Sequence, residues 1–100
     1  MNLSVTIPPV RTFAHVEASK AQVLKPLEEA AEVFAAWQTW DEAVRHGDDL
    51  HCNYLKKCLV DECCDVIQAT CNLLAALGVD DLAEAMAACE ERNRKRGRYE

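Results

Sequence analysis

The sequence predicts an all-α fold in which one helical domain covers residues 1–100, and three observations support this prediction. Half of the residues are apolar and 28% are charged, a composition typical of a globular chain. Three glycines and three prolines are too few to separate a series of short strands. Long segments with helical periodicity follow one another and are separated by short turns.

The first part of the chain is predicted to be an arm followed by a long helix. Residues 1–10 contain two adjacent prolines and are expected to form an extended N-terminal arm. Ser19 and Gln22 fit a helix start, and Pro26 either begins a helix or kinks one already running. We favour a short or irregular lead-in and a main helix over about residues 26–44. Its predicted apolar stripe comprises Leu27, Ala30, Ala31, Val33, Phe34 and Trp37.

Two further helices are predicted after this one. Residues 45–49 contain a glycine and two aspartates, which supply a turn and the next N-cap. A second helix over about residues 50–77 is apolar on nearly all sides and is therefore expected to be central and buried. Asp81 with Glu84 resembles a capping box for a third helix over about residues 82–96. Three such helices bury a limited core, so two or more chains are expected to complete the bundle.

The expected compartment decides how the six cysteines are interpreted. Carboxylates interrupt the apolar stretch over residues 58–79, and the N-terminus lacks the features of a signal peptide. We therefore expect a cytoplasmic protein without a membrane-spanning segment, in which the thiols are buried rather than disulfide-bonded. A zinc site using His46 and His51 is the alternative, although no two Cys-x-x-Cys pairs occur.

Two pairs of carboxylates are the most informative feature of the sequence. Glu29 and Glu32 are three residues apart, so both project from one side of a helix. Glu62 and Asp65 have the same spacing on the helix expected to be buried, where an unpaired charge is costly. Mg²⁺ or Mn²⁺ is a natural partner for such oxygens, and a solvated acidic face is the alternative.

The pattern Glu28-Glu29-x-x-Glu32 followed by Glu62-x-x-Asp65 resembles the signature of the MazG-like nucleotide pyrophosphohydrolases. The similarity covers most of the chain and includes its basic C-terminal end. It implies a helical bundle of the all-α NTP pyrophosphatase type, with Glu28 orienting or deprotonating the attacking water. It also implies a Mg²⁺ site formed by Glu29, Glu32, Glu62 and Asp65.

The resemblance further implies a reaction and one local difference from the family. A nucleoside triphosphate, with ribose or deoxyribose, would be hydrolysed to its monophosphate and pyrophosphate by a homodimer or homotetramer. The gap between Glu32 and Glu62 is long for the family, so we expect an elaborated loop over residues 45–53.

Other side chains are candidates for substrate binding. Residues 92–100 form a basic tail on a chain of net charge −6, and a phosphate clamp and a solvated helix end are both open interpretations. Gln68 and Asn72 follow Asp65 on one face and either bind substrate or are satisfied buried amides. Trp37 is assigned to the core. The remaining candidates are Lys25, Trp40, Asn93, Lys95 and Arg98, of which the last three match the family's C-terminal motif.

The predicted function is Mg²⁺-dependent nucleoside triphosphate pyrophosphohydrolysis. No membrane partner is expected. Nucleic acid is not expected as a partner either, because the chain is acidic and no aromatic residues interleave the basic residues 92–98. The alternative is a catalytically silent helical oligomer or partner-binding module of the same fold.

Overall fold

Three helices make up the regular structure of the computed structural model, which describes residues 3–100. They are α1 (Lys20–Arg45), α2 (Asp49–Ala76) and α3 (Ala83–Lys95). The described residues contain no strand, so the all-α prediction is confirmed. A three-residue turn joins α1 to α2, and these two helices pack against each other along their length. None of the three helices is long and apolar enough to cross a membrane.

Helix α1 begins six residues earlier than the favoured prediction, which placed its start at Pro26. Ser19 is the N-cap, and its hydroxyl oxygen accepts a hydrogen bond of 3.2 Å from the backbone N–H of Gln22. This cap satisfies one of the free N–H groups of the first turn and starts the helix before the proline is reached. Pro26 therefore lies inside a helix already running.

The connection between α1 and α2 is short, so the predicted elaboration over residues 45–53 is wrong. Gly47 has a φ of +65°, a conformation that glycine adopts without steric cost. Asp48 caps α2, because its side chain accepts a hydrogen bond from the backbone N–H of His51. The residues between Glu32 and Glu62 are thus mostly helical and belong to the end of α1 and the start of α2.

The ends of α2 and α3 agree with the prediction to within one residue. The capping box before α3 is only partly formed. Asp81 accepts a hydrogen bond of 2.8 Å from the backbone N–H of Ala83, while the N-cap residue, Leu82, makes no side-chain cap bond. Asp81 therefore caps an earlier N–H group than the capping box predicts.

Helix α1 carries two stripes that each repeat every three or four residues. The inner stripe is half-buried or buried and faces α2, since α2 is the helix whose backbone approaches α1. It consists of Gln22, Pro26, Glu29, Val33, Ala36, Trp40 and Ala43. The outer stripe is exposed and consists of Val23, Leu27, Ala30, Phe34, Trp37 and Val44. The predicted apolar stripe falls largely on this outer face, so Trp37 does not pack in the core of the chain.

The core within one chain is small. Ala43 and Ala69 are the buried hydrophobic residues, and α2 is largely half-buried rather than enclosed as predicted. The radius of gyration is 16.4 Å, whereas a compact domain of about 100 residues has about 13 Å. The thiols are not buried either: Cys63 and Cys64 are exposed and the other four are half-buried. The apolar pattern predicts a core that a single chain does not close.

Residues 3–19, which we call the N-terminal arm from here on, have no regular secondary structure, bend at residues 14 and 15 and pack on α2. The carbonyl oxygen of Arg11 accepts a hydrogen bond of 2.9 Å from the Gln68 side chain. The backbone N–H of Phe13 donates to the Asn72 side chain over 3.0 Å. Helix α3 approaches neither α1 nor α2 in its backbone, and its residue Met86 lines one cavity together with the N-terminal arm and α2. Residues 1 and 2 of the predicted arm lie outside the described residues.

Candidate metal and substrate site

Three of the predicted carboxylates meet between α1 and α2. Glu29 belongs to the inner stripe of α1, Glu32 lies one turn further along, and Glu62 faces them from α2. One oxygen atom from each of the three carboxylates lies within 4.8 Å of the other two. We call these three residues the acidic cluster. The structure thereby brings together side chains that are distant in the sequence and lie on two antiparallel helices.

Glu62 is the most constrained member of the acidic cluster. Its Oε2 atom is inaccessible to solvent and has no hydrogen-bond partner among the described residues. Burial raises the pKa of the Glu62 carboxyl, and the negative charges of Glu32 and Asp65 raise this pKa further. A side-chain hydrogen bond with Glu32, which favours the protonated form, and the charge of Glu29 act in the same direction. A buried acceptor without a donor is costly, so this atom calls for a cation or a proton.

Asp65 and Glu28 lie beside the cluster rather than in it. Asp65 is exposed, and its charge acts on Glu62 while its side chain lines a neighbouring cleft with Glu29. Glu28 is exposed on α1, and its carboxylate lies 3.4 Å from the Lys25 ammonium. Lys25 is thus placed between an exposed ion pair and the same cleft.

A cleft of about 360 Å³ adjoins the acidic cluster, between the N-terminal half of α1 and the C-terminal half of α2. Its lining residues include two that carry a carboxylate, one that carries an ammonium, three that carry an amide and one aromatic residue. The lining residues are Phe13, Gln22, Lys25, Glu29, Asp65, Gln68, Ala69 and Asn72. Phe13 and Gln22 were not among the predicted site residues. The contact of Phe13 with Asn72 spans 59 residues, so helical periodicity within a segment cannot show it.

Gln68 and Asn72 have a structural role that the sequence left open. Asn72 is 3% exposed, and its Oδ1 atom accepts hydrogen bonds from Phe13 N and from Gln68 Nε2 at 3.0 and 3.1 Å. The same Gln68 nitrogen donates to the carbonyl oxygen of Arg11. Both amides therefore hold the N-terminal arm on α2, and both also line the cleft.

The other predicted substrate residues lie elsewhere in the single chain. Trp40 belongs to the inner stripe of α1, about 16 Å along the helix axis from Glu29. Asn93 donates to the Cys89 sulfur at 3.6 Å and lines a groove between α3 and the arm. Within residues 3–100, Lys95 and Arg98 form no ion pair and are exposed, and α3 does not approach the hairpin of α1 and α2.

The cysteines and histidines do not form a comparable group. Among the described residues, the acidic cluster is the set of His, Cys, Asp and Glu side chains close enough to share one cation. His51 instead lies 2.8 Å from the Asp48 carboxylate, and this hydrogen bond lowers the pKa of Asp48. The geometry therefore offers oxygen ligands between α1 and α2 rather than a cysteine and histidine site.

Comparison with protein-family models, with curated proteins and with solved structures found no match for this chain. The resemblance to the MazG-like enzymes therefore rests on the motif and on the order of the helices. Any function proposed for the chain depends on the chemistry of the site itself.

Proposed function

We propose that this protein is a Mg²⁺-dependent nucleoside triphosphate pyrophosphohydrolase. The observation that carries the proposal is the acidic cluster, in which a buried Glu62 oxygen without a partner among the described residues lies beside other carboxylates. The adjoining cleft gives this cluster room for a substrate. The motif that resembles the MazG-like enzymes supplies the reaction class.

The donor set of the cluster fits a hard divalent cation. All of its ligand atoms are carboxylate oxygens, which Mg²⁺ and Mn²⁺ prefer. Among the described residues no Lys, Arg or His forms an ion pair with Glu29, Glu32, Glu62 or Asp65. The neighbouring lysines are engaged elsewhere, since Lys57 pairs with Asp61 as Lys25 does with Glu28. The negative charge of the cluster is therefore left for a cation to balance.

The residues take the following roles in this proposal. Glu29, Glu32 and Glu62 hold the cation, and Asp65 approaches from the side of the cleft. A bound Mg²⁺ neutralises phosphate oxygens and lowers the pKa of a bound water. Lys25, a substrate contact predicted from the sequence, pairs with Glu28 in this structure and takes no role in this proposal. Glu28 stays a predicted orienting group for the attacking water, although in this structure it pairs with Lys25.

The proposal includes a homo-oligomer. The outer stripe of α1 is apolar and exposed, and a single chain buries little hydrophobic surface. A second copy that covers the outer stripe would supply the missing core. The basic tail, which does not reach the cluster within one chain, would then be available to a neighbouring site.

The test is pyrophosphate release from a panel of ribo- and deoxynucleoside triphosphates in Mg²⁺. We expect Glu62→Gln to lower turnover at least about 100-fold, because loss of one electrostatic group that stabilises the transition state costs about 10²–10³. Asp61→Asn is the matched control, since Asp61 is the neighbouring residue on α2, is exposed and pairs with Lys57. It should retain near-native turnover.

Two results would contradict the proposal. One is the absence of pyrophosphate release from every triphosphate together with no stabilisation of the fold by Mg²⁺ or Mn²⁺. The other is equal turnover in Glu62→Gln and Asp61→Asn. The first result would favour the catalytically silent oligomer, and the second would show that the acidic cluster is not where triphosphates are hydrolysed.

A further inference from the structure

The cleft next to the acidic cluster has one wall of fixed amides and one aromatic ring from the arm. Asn72 and Gln68 belong to α2, whereas Phe13 comes from the N-terminal arm that these amides hold in place. Each of these residues lines the cleft. The chemistry of this lining determines which part of a substrate the cleft accepts.

The hydrogen bonds to the arm fix the orientation of both amides. Two N–H donors point at Asn72 Oδ1, so this atom is the oxygen and the Asn72 nitrogen must be elsewhere. Among the described residues that nitrogen makes no hydrogen bond, and unlike Glu62 Oε2 it is not sealed from solvent, so it is free to donate to a ligand. Gln68 Nε2 likewise donates to Arg11 O and to Asn72 Oδ1, so Gln68 Oε1 remains available as an acceptor. The two amides therefore offer a ligand one hydrogen-bond donor, Asn72 Nδ2, next to one acceptor, Gln68 Oε1.

The charges of the cleft disfavour its use as a phosphate pocket. Glu29 and Asp65 line it on the side of the cluster, and the ammonium of Lys25 in its lining already lies 3.4 Å from Glu28. A polyphosphate would meet net negative charge there. An uncharged planar ring would meet an amide donor, an amide acceptor and the Phe13 ring, which is the combination that binds nucleobases.

We infer that the cleft is the base subsite, in which Phe13 stacks on the base and Asn72 Nδ2 and Gln68 Oε1 read its edge. This inference rests on the proposed function, because it places the base in the cleft and the phosphates at the acidic cluster. The N-terminal arm is then part of the binding site: it contributes Phe13 and locks the two amides in the orientation that reads the base.

The first test measures binding of uridine, cytidine, adenosine and guanosine to the metal-free full chain by isothermal titration calorimetry. These probes carry no phosphate, so the result does not depend on metal or on hydrolysis. We expect binding of at least one nucleoside that Phe13→Ala weakens about tenfold, since base stacking on an aromatic ring is a large sequence-tolerant contribution. Phe13 is 64% exposed, so this change should leave the fold intact. Tyr54→Ala is the matched control, because Tyr54 is as exposed and does not line the cleft.

A second variant separates edge recognition from stacking. Asn72→Asp keeps an oxygen for Phe13 N and Gln68 Nε2 but removes the donor that faces the base. We expect it to change the order of preference among the four nucleosides. Should this variant fail to fold, the Phe13→Ala comparison still decides the question.

The outcomes distinguish this inference from the proposed function. Nucleoside binding that depends on Phe13, with no pyrophosphate release from any triphosphate, would support the base subsite and contradict the enzyme. Triphosphate turnover whose KM is unchanged in Phe13→Ala for every base would support the enzyme and overturn the base subsite. Nucleoside binding that is equal in native protein, Phe13→Ala and Asn72→Asp would overturn it as well.

Discussion

In the metal-free chain, the surroundings of Glu62 disfavour its ionised form, so ionisation of this carboxyl destabilises the folded state. Its Oε2 atom is sealed from solvent, and burial together with the charges of Glu32, Asp65 and Glu29 raises its pKa. A raised carboxyl pKa means that the folded state holds the proton more tightly than the unfolded chain. The same arrangement concentrates negative charge where the proposed cation would bind, so a bound cation would offset the cost of ionising Glu62.

This cost predicts how stability depends on pH. Without divalent cations, the stability of the native protein should fall as the pH rises from the ordinary carboxyl value of 4.5 through the raised pKa of Glu62. Glu62→Gln should remove that dependence and melt at a higher temperature than the native protein at pH 7 in EDTA. The two proteins should converge below about pH 4.5, where the carboxyl is protonated in both states. Thermal unfolding followed by circular dichroism measures this.

Mg²⁺ should reverse the order of the melting temperatures of the native protein and Glu62→Gln. At pH 7 the native protein should gain thermal stability with Mg²⁺, whereas Glu62→Gln should gain less. Asp61→Asn should follow the native protein, since it alters an exposed ion pair of small energetic effect. A Glu62→Gln variant that melts below the native protein at pH 7 in EDTA would show that the ionised Glu62 carboxylate does not oppose folding.

The sequence predicted part of this site, for a physical reason. Carboxylates three apart share a helix face, so the pairing of Glu29 with Glu32 needs only helical periodicity. The approach of Glu62 needs in addition that the two helices be antiparallel neighbours, which the motif order implies. Phe13 was missed because its position depends on a chain-end contact with Asn72 over 59 residues, for which no local pattern exists.

At the scale of the elements, α1 shows how a local cap determines a helix boundary. A proline at an internal position costs about 3 kcal/mol, because it removes one hydrogen bond and crowds the preceding turn. The helix nevertheless begins at Lys20, where the Ser19 hydroxyl satisfies the N–H of Gln22. The start matters for the site, because the first two turns of α1 place Gln22 and Lys25 in the cleft.

The cap can be tested by substitution at Ser19. Ser19→Ala should lower the free energy of unfolding by about 1 kcal/mol, the usual cost of losing a side-chain N-cap. Ser19→Asp keeps an acceptor for Gln22 N and adds a charge that the helix dipole favours, so it should retain native stability. Urea unfolding at constant protein concentration measures both. Equal loss in the two variants would show that the hydroxyl cap is not what starts α1.

At the scale of the whole molecule, the hairpin of α1 and α2 leaves an apolar face of α1 exposed in a single chain. The predicted apolar stripe lies largely on the exposed outer face of α1, because α2 covers only the opposite face of that helix. Phe34 and Trp37 stack on each other on the outer face, with ring centroids 5.9 Å apart. Periodicity shows that a face is apolar. It does not show whether the same chain or another copy covers it.

The outer stripe provides the test of assembly. Leu27 and Phe34 are 69% and 59% exposed, so glutamates at both positions can be solvated in a single chain. In an apolar interface the same two charges would be desolvated without partners, at a cost sufficient to separate the copies. We therefore expect sedimentation at micromolar concentration to give a multiple of 11.2 kDa for the native protein and the monomer mass for the doubly substituted protein.

A matched pair of substitutions shows whether the effect belongs to the stripe. Leu50→Glu with Tyr54→Glu adds the same charge at exposed apolar positions of α2, away from the outer stripe, and should leave the native mass unchanged. If the native protein itself sediments as an 11.2 kDa monomer with a sharp thermal transition, the small core of Ala43 and Ala69 suffices and the proposed assembly is wrong. If both double variants dissociate, added charge rather than the outer stripe controls assembly, because only coverage of α1 predicts a difference between them.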